Sequence, residues 1–291
     1  MTSPATTRAG PPPPPRLPDG HPGRGAGTGR GPARVRLSRA VIVVPAVLAA
    51  LLVVVPLLGL LAGTQWRGLP ARLADPSVRP ALRLSLVTTL ATVAVCWVLG
   101  TPLAWVLSRA DGRGATWLRA VVTVPVVLPP VVGGVALLLA YGRRGLVGEP
   151  LLDLFGVRIP FTPFAVVLAQ VFVSLPFYVL AVEGAMRGID RRLLDLSTTL
   201  GARPLRVLTH VALPLAAPGI ASGTALAWAR ALGEFGATIT FAGNFAGETQ
   251  TTSLLVYVAL QDDPQTAVAL SLAMLVVAVG VLGLLRGRWL R

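Results

Sequence analysis

The chain of 291 residues contains no lysine, one cysteine and two histidines. Without lysine it holds no glycine-rich phosphate loop of the usual kind, so any phosphoryl chemistry belongs to another chain. The single cysteine, Cys96, excludes an intrachain disulfide and, inside an apolar run, reads as a small apolar residue. His21 and His210 are too far apart in sequence and context to suggest a metal site. No nucleophile–base pair is legible either. Charge is scarce as well: 13% of residues are charged against 54% hydrophobic, which excludes a typical soluble domain and indicates a polytopic membrane protein. The basic residues are all arginine, and the formal net charge is +14. They sit in loops and in the first forty residues, not on one face interleaved with aromatics, so nucleic acid is not the partner.

Residues 1–38 are rich in Pro, Gly and Arg, with five consecutive prolines from Pro11 to Pro15. Such a stretch cannot bury enough apolar surface to offset its ordering entropy, and a disordered cytoplasmic tail is predicted. The apolar run that follows is too long for a signal peptide. A transmembrane domain over 39–291 comes next. Its apolar runs, at about 41–62, 84–107, 120–141, 164–182, 214–236 and 267–285, each approach or exceed the roughly 30 Å of helix needed to cross a bilayer. The fold class is therefore all-α, with six spans. Arginine placement orients them: it favours the first forty residues, the 109–119 segment, the island near 190–214 and Arg286, Arg288 and Arg291. The loop before the last span holds only Glu248, Asp262 and Asp263. Both termini are expected in the cytoplasm. The 142–163 segment reads as an external loop, and 243–260 as a short helix or partial re-entry.

The island from Asp195 to Ile220 is the informative stretch. Leu193, Leu196 and Leu200 repeat at helical spacing until Gly201 breaks the pattern. Pro204 then opens a second short helix. On it Leu205, Leu208 and Val211 or Ala212 share a face, and Leu213-Pro214 closes the unit. A helix–glycine–helix with an apolar stripe at a membrane surface is suited to docking in a groove of another protein. The stretch resembles the signature loop of permease subunits of binding-protein-dependent ABC importers. Asp195 stands where that loop usually has glutamate and Leu196-Ser197 where it has alanines, while Gly201 and Leu213-Pro214 keep its spacing.

Two further segments bear on transport. Val124 to Gly134 places Pro125, Pro129 and Pro130 ahead of Gly133 and Gly134, which reads either as a broken helix with N–H groups on an anion path or as a kink with tight packing. Gly219 and Gly223 read as a packing face. In the fifth span Arg230 and Glu234 are an ionisable pair at membrane depth. They are candidates for a pathway role or for a fastener of the bundle. The run Ala231–Asn244 with Gly247–Thr252, taken with LPPVVGG and Tyr141–Gly145, resembles molybdate importer permeases over roughly 80–285. Sulfate and thiosulfate permeases share the core Gly233–Gly236.

The resemblance implies a type I-like permease working as a homodimer in a bacterial plasma membrane, multi-pass and surrounded by lipid. Two ABC ATPase subunits would bind ATP and magnesium on the cytoplasmic side, and an oxyanion-binding protein would dock outside. This chain would hold no cofactor, no metal and no catalytic residue. The ATPase-coupling residues would be Asp195, Gly201, Leu205, Leu208, Leu213 and Pro214. Arg230, Glu234, Thr238, Thr240 and Asn244 are candidates for the substrate path. The alternatives are a sulfate or thiosulfate permease, an ATP-independent secondary transporter or channel, and a membrane-embedded enzyme.

Overall fold

The computed structural model describes residues 32–289, with side chains described over 41–281. The tail expected over 1–38 lies outside the described residues up to residue 31, and residues 32–38 already belong to the first helix, α1 (Pro32–Gly63). Among the described residues every regular element is helical. The chain divides into two units, one ending at Val55 and the other starting at Pro56. In the first, Val41–Val55 expose apolar side chains all round α1, the pattern a lipid-facing helix requires.

The second unit is built around α6 (Pro163–Arg187). Its start is set by Thr162, whose hydroxyl accepts the Ala165 N–H at 3.2 Å, with Pro163 in the first helical position. Ala165, Ala169, Val173, Tyr178 and Val182 of α6 are all buried. Against it pack α2 (Val78–Arg109) and α8 (Pro204–Leu232). The α6–α8 contact depends on missing side chains. A Cβ on Gly219 would overlap that of Ala185, and one on Gly223 would stand 3.2 Å from the Ala181 Cβ. Gly219 and Gly223 are thus a packing face, as their spacing indicated. Gly219→Val should destabilise the detergent-solubilised protein by about 1–3 kcal/mol through overpacking. A thermal melt equal to the parent's would contradict the tight contact.

Among the described residues five helices are long and apolar enough to span a membrane, and the number is six if one bent pair is counted as a single span. That pair is α3 (Arg113–Val127) and α4 (Pro130–Tyr141), bent by 116°. Leu128 leaves the helical region because it precedes Pro129, and Pro130 restarts the helix. The run of prolines therefore breaks the helix outright. The glycines behind it serve packing: a Cβ on Gly134 would lie 2.7 Å from the Thr240 Cβ and 3.0 Å from the Ala237 carbonyl. Both sequence readings of this segment held a part of the answer.

Connections follow local chemistry. Gly142, Gly145 and Gly148 wrap the backbone so closely that a Cβ on Gly145 would sit 2.7 Å from the Leu139 carbonyl. This turn leads into α5 (Gly148–Phe155). After α6 come α7 (Arg191–Thr199) and α8, then α9 (Gly236–Phe241) and α10 (Thr252–Asp262). At 11 residues α10 is too short to cross a bilayer, in keeping with the short helix expected there. Asp263 then caps α11 (Pro264–Trp289): the Thr266 hydroxyl donates to its carboxylate at 2.6 Å and the Gln265 N–H at 3.1 Å. The Thr266 hydroxyl is the main cause holding the Asp263 carboxyl below its ordinary value.

The start of α8 corrects the sequence reading. Leu213-Pro214 does not close a separate short helix; the helix runs from Pro204 through both residues to Leu232. A π turn over Leu208–Ala212 makes this feasible, because it widens the coil just ahead of a proline that lacks an N–H and would clash with a regular preceding turn.

Candidate functional site

The Asp195–Pro214 stretch presents leucines outward. On α7 only Leu194 is buried, packed with Val207 and Ala212 and flanked by Trp105 and Ile189, whereas Leu193, Leu196 and Leu200 are exposed. Leu200 is 88% and Leu205 70% exposed. Ser197, Thr198 and Thr199 do not disrupt α7 because their hydroxyls donate back to the carbonyls of Leu193 and Asp195. Gly201 ends the helix with φ +84°; its N–H donates to the Thr198 carbonyl at 2.9 Å and the Ala202 N–H to Ser197 at 3.0 Å. This double closure with a left-handed glycine is a Schellman cap. The structure divides the second expected stripe. Leu205 points out, while Leu208, Val211 and Ala212 pack inward. The extra residue in the π turn offsets what precedes it by roughly 100° against α-helical register, which takes Leu205 off the face of Val211 and Ala212. Asp195 is exposed, Leu213 half-buried and Pro214 exposed.

At the other end of α8 the sequence placed Arg230 and Glu234 on one helix within the span. The helix instead ends at Leu232, so Arg230 occupies its last turn and Glu234 lies in the connection to α9. The two still meet, with Arg230 Nη1 2.6 Å from Glu234 Oε2. That contact lacks hydrogen-bond alignment, since Oε2 has no hydrogen-bond partner. Glu234 Oε1 accepts the Ala237 N–H at 2.8 Å and so caps α9. The carboxylate is 1% exposed and the arginine side chain 28%. Glu234 therefore has two structural tasks, whereas Arg230 makes no hydrogen bond to another described residue.

The other candidates are spread along the same segment. Thr238 is fully buried and its hydroxyl has no partner. Thr240 donates to the Gly236 carbonyl at 2.8 Å. Asn244, after the left-handed Gly243, has a buried side-chain oxygen without a partner. The α9 segment abuts the helix break, because a Cβ on Gly236 would lie 2.8 Å from the Pro130 Cβ. Close to this level α10 is tied in, the Ser253 hydroxyl donating to the Leu232 carbonyl at 2.9 Å and the Thr252 N–H to the Ser85 hydroxyl oxygen at 2.7 Å.

Sequence reasoning passed over two polar groups inside the bundle. Gln170 of α6 donates to Thr88 at 3.2 Å and accepts from Thr92 at 3.0 Å, both on α2. The signal was present: Ser85, Thr88, Thr89 and Thr92 recur at helical spacing within an apolar run. Glu183, 5% exposed on α6, pairs with Arg119 at 2.7 Å and with Arg187 at 3.1 Å. A lone carboxylate directly after the fourth apolar run was its signal.

Residues 99–290 match the family described as binding-protein-dependent transport system inner membrane component. A molybdenum transport system permease protein, ModB, of Mycobacterium tuberculosis is 47% identical over 237 residues, covering 81% of this chain and 89% of that protein. Its counterpart in Escherichia coli is 41% identical over 218 residues, 75% of this chain and 95% of that one. A probable sulfate transport system permease protein of Helicosporidium is 30% identical, with 84% and 91% covered. Among solved structures, a chain of a bacterial alginate ABC transporter superposes with a TM-score of 0.68 at 15% identity, over 87% of this chain and 93% of that one. At that identity the likeness speaks for the fold.

Proposed function

Because the chain belongs to the family of inner membrane components of binding-protein-dependent transport systems, we propose that it is the permease subunit of an ATP-driven importer carrying molybdate into the cell. The observation that carries the cargo is the 41–47% identity across 89–95% of the length of molybdenum permeases. The sulfate relative stands at 30%. The chain is a multi-pass membrane protein and a transport permease. ATP hydrolysis in this reading falls to a partner ATPase, which would hold ATP and magnesium, while an oxyanion-binding protein delivers cargo from outside.

The mechanism follows from where the chain offers contact. Two copies of the permease would enclose the path. The exposed Leu193, Leu196, Leu200 and Leu205, held in place by the Gly201 cap, suit a groove on the ATPase, and closure of the ATPases would pull on α7. On the path a dianion needs donors and positive potential, but no tight site, because tight binding would stop release. Arg230 supplies the charge, and Thr238, Thr240 and Asn244 are the candidate polar groups beside it. The test is uptake and binding-protein-stimulated ATP hydrolysis in proteoliposomes, with molybdate, tungstate and sulfate compared. Molybdate should drive both, and stimulation by sulfate alone would overturn the cargo.

Orientation is testable separately. With both termini cytoplasmic, reporter fusions at Gly20 and Arg291 should report the cytoplasm and one at Asp262 the exterior. A C-terminal fusion reporting the exterior would remove the six-crossing arrangement.

A further inference from the structure

A polar contact joining several helices of the second unit lies at the α7 end of the bundle, apart from the proposed path. Arg119 of α3 donates from Nε to Glu183 Oε1 at 2.7 Å, and from Nη2 to the carbonyls of Leu107 at 2.5 Å and Ala110 at 2.9 Å. Those carbonyls belong to the C-terminal end of α2, where helical acceptors run out of partners and a cation is favoured. Arg187 approaches the same Glu183 oxygen at 3.1 Å and the same Leu107 carbonyl at 3.4 Å. One buried carboxylate and two guanidiniums thus join three helices.

Its position gives the group a use. Glu183 lies one turn before α6 ends at Arg187, and Asp190 caps α7 three residues later, accepting the Arg192 N–H at 2.9 Å. Ile189, between them, packs with Leu194 and Val207, as does Trp105 of α2. In the other direction α3 leads from Arg119 to the 116° break, and α4 beyond it meets α9, whose first turn Glu234 caps. We infer that Arg119 and Glu183 hold the ends of α2, α3 and α6 as one block that moves with α7, which makes Arg119 a positioning residue for coupling hydrolysis to transport. The inference rests on the reading that α7 and Leu205 face an ATPase. A displacement of α7 would then be passed through α3 to the break at Leu128–Pro129, where the helix ladder is already open.

The experiment uses the whole importer, permease with ATPase and binding protein, in proteoliposomes, and reads molybdate taken up per ATP hydrolysed. Arg119→Lys keeps a charge against Glu183, but a single ammonium lacks the fork that also grips two carbonyls. Assembly should stay near parental while uptake per ATP falls about fivefold or more, the size of an ordinary coupling term. In Arg119→Gln with Glu183→Gln, removal of both charges should restore the amount of assembled complex but not the ratio. A parental ratio in assembled Arg119→Lys overturns the inference. So does a failure of both variants to assemble, which would make the group a fastener of the fold. Absence of ATP-driven uptake in the parent would strike down the importer reading and this inference with it, whereas parental coupling with an unchanged lysine variant removes only the inference.

Discussion

Gly201→Val should leave the importer assembled in the membrane but depress coupled uptake at least about tenfold, the equivalent of losing ~1.4 kcal/mol of productive contact. The reason is backbone shape, because a Cβ at this position would meet nothing within 4 Å. At φ +84° a residue with a Cβ costs about 1–2 kcal/mol, and a β-branched one is the least tolerated. Valine would therefore open the cap, releasing the Gly201 and Ala202 N–H bonds to Thr198 and Ser197 and turning Leu200 and Leu205 away from each other. Asparagine is the control, since it visits the left-handed region more readily. Gly201→Asn should retain most transport. The measurement is uptake and ATP hydrolysis side by side, with membrane content checked. Full transport by a well-expressed valine variant would show that Leu200 and Leu205 need no fixed relation and that the docking surface lies elsewhere.

Much of this architecture could be read from residue type alone. The apolar runs mark the crossings because lipid leaves few options for a polar backbone, and Gly201 announces its cap because only few residues take a left-handed turn. Other features are set by contacts that sequence order does not display. The continuation of α8 through Leu213-Pro214 depends on a π turn, and nothing in Leu208–Ala212 announces an extra residue per coil. The same turn takes Leu205 off the face that Val211 and Ala212 share. Arg119 and Glu183 lie 64 positions apart, and only the packing of α3 on α6 reveals that they belong together. Arg230 and Glu234 were legible as a pair, yet the break after Leu232 turned Glu234 from a side chain along a helix into the cap of the next one.

That cap sharpens the test of Arg230. Arg230→Gln should lower molybdate uptake by about tenfold, as expected where a ~1.4 kcal/mol electrostatic contribution is removed from the rate-limiting passage. Glu234→Gln is the informative partner, because the amide oxygen can still accept the Ala237 N–H and keep α9 in place while the charge is gone. It should also impair transport, by leaving Arg230 unneutralised and the anion held too long. Glu234→Ala removes the cap as well and should cost about 0.5–2 kcal/mol of stability besides. If the two residues only fasten the bundle, each single change strands one charge and mainly reduces assembly. The double change Arg230→Gln with Glu234→Gln would then recover both assembly and uptake. If Arg230 serves the path, the double variant assembles like the parent and still transports poorly, because no neighbour replaces a guanidinium that faces the cargo with free donors. Comparing molybdate, tungstate and sulfate in the same proteoliposomes separates charge from fit: loss of positive potential should depress all dianions alike. A double variant that carries molybdate at the parental rate would remove Arg230 from the path and leave the pair a fastener.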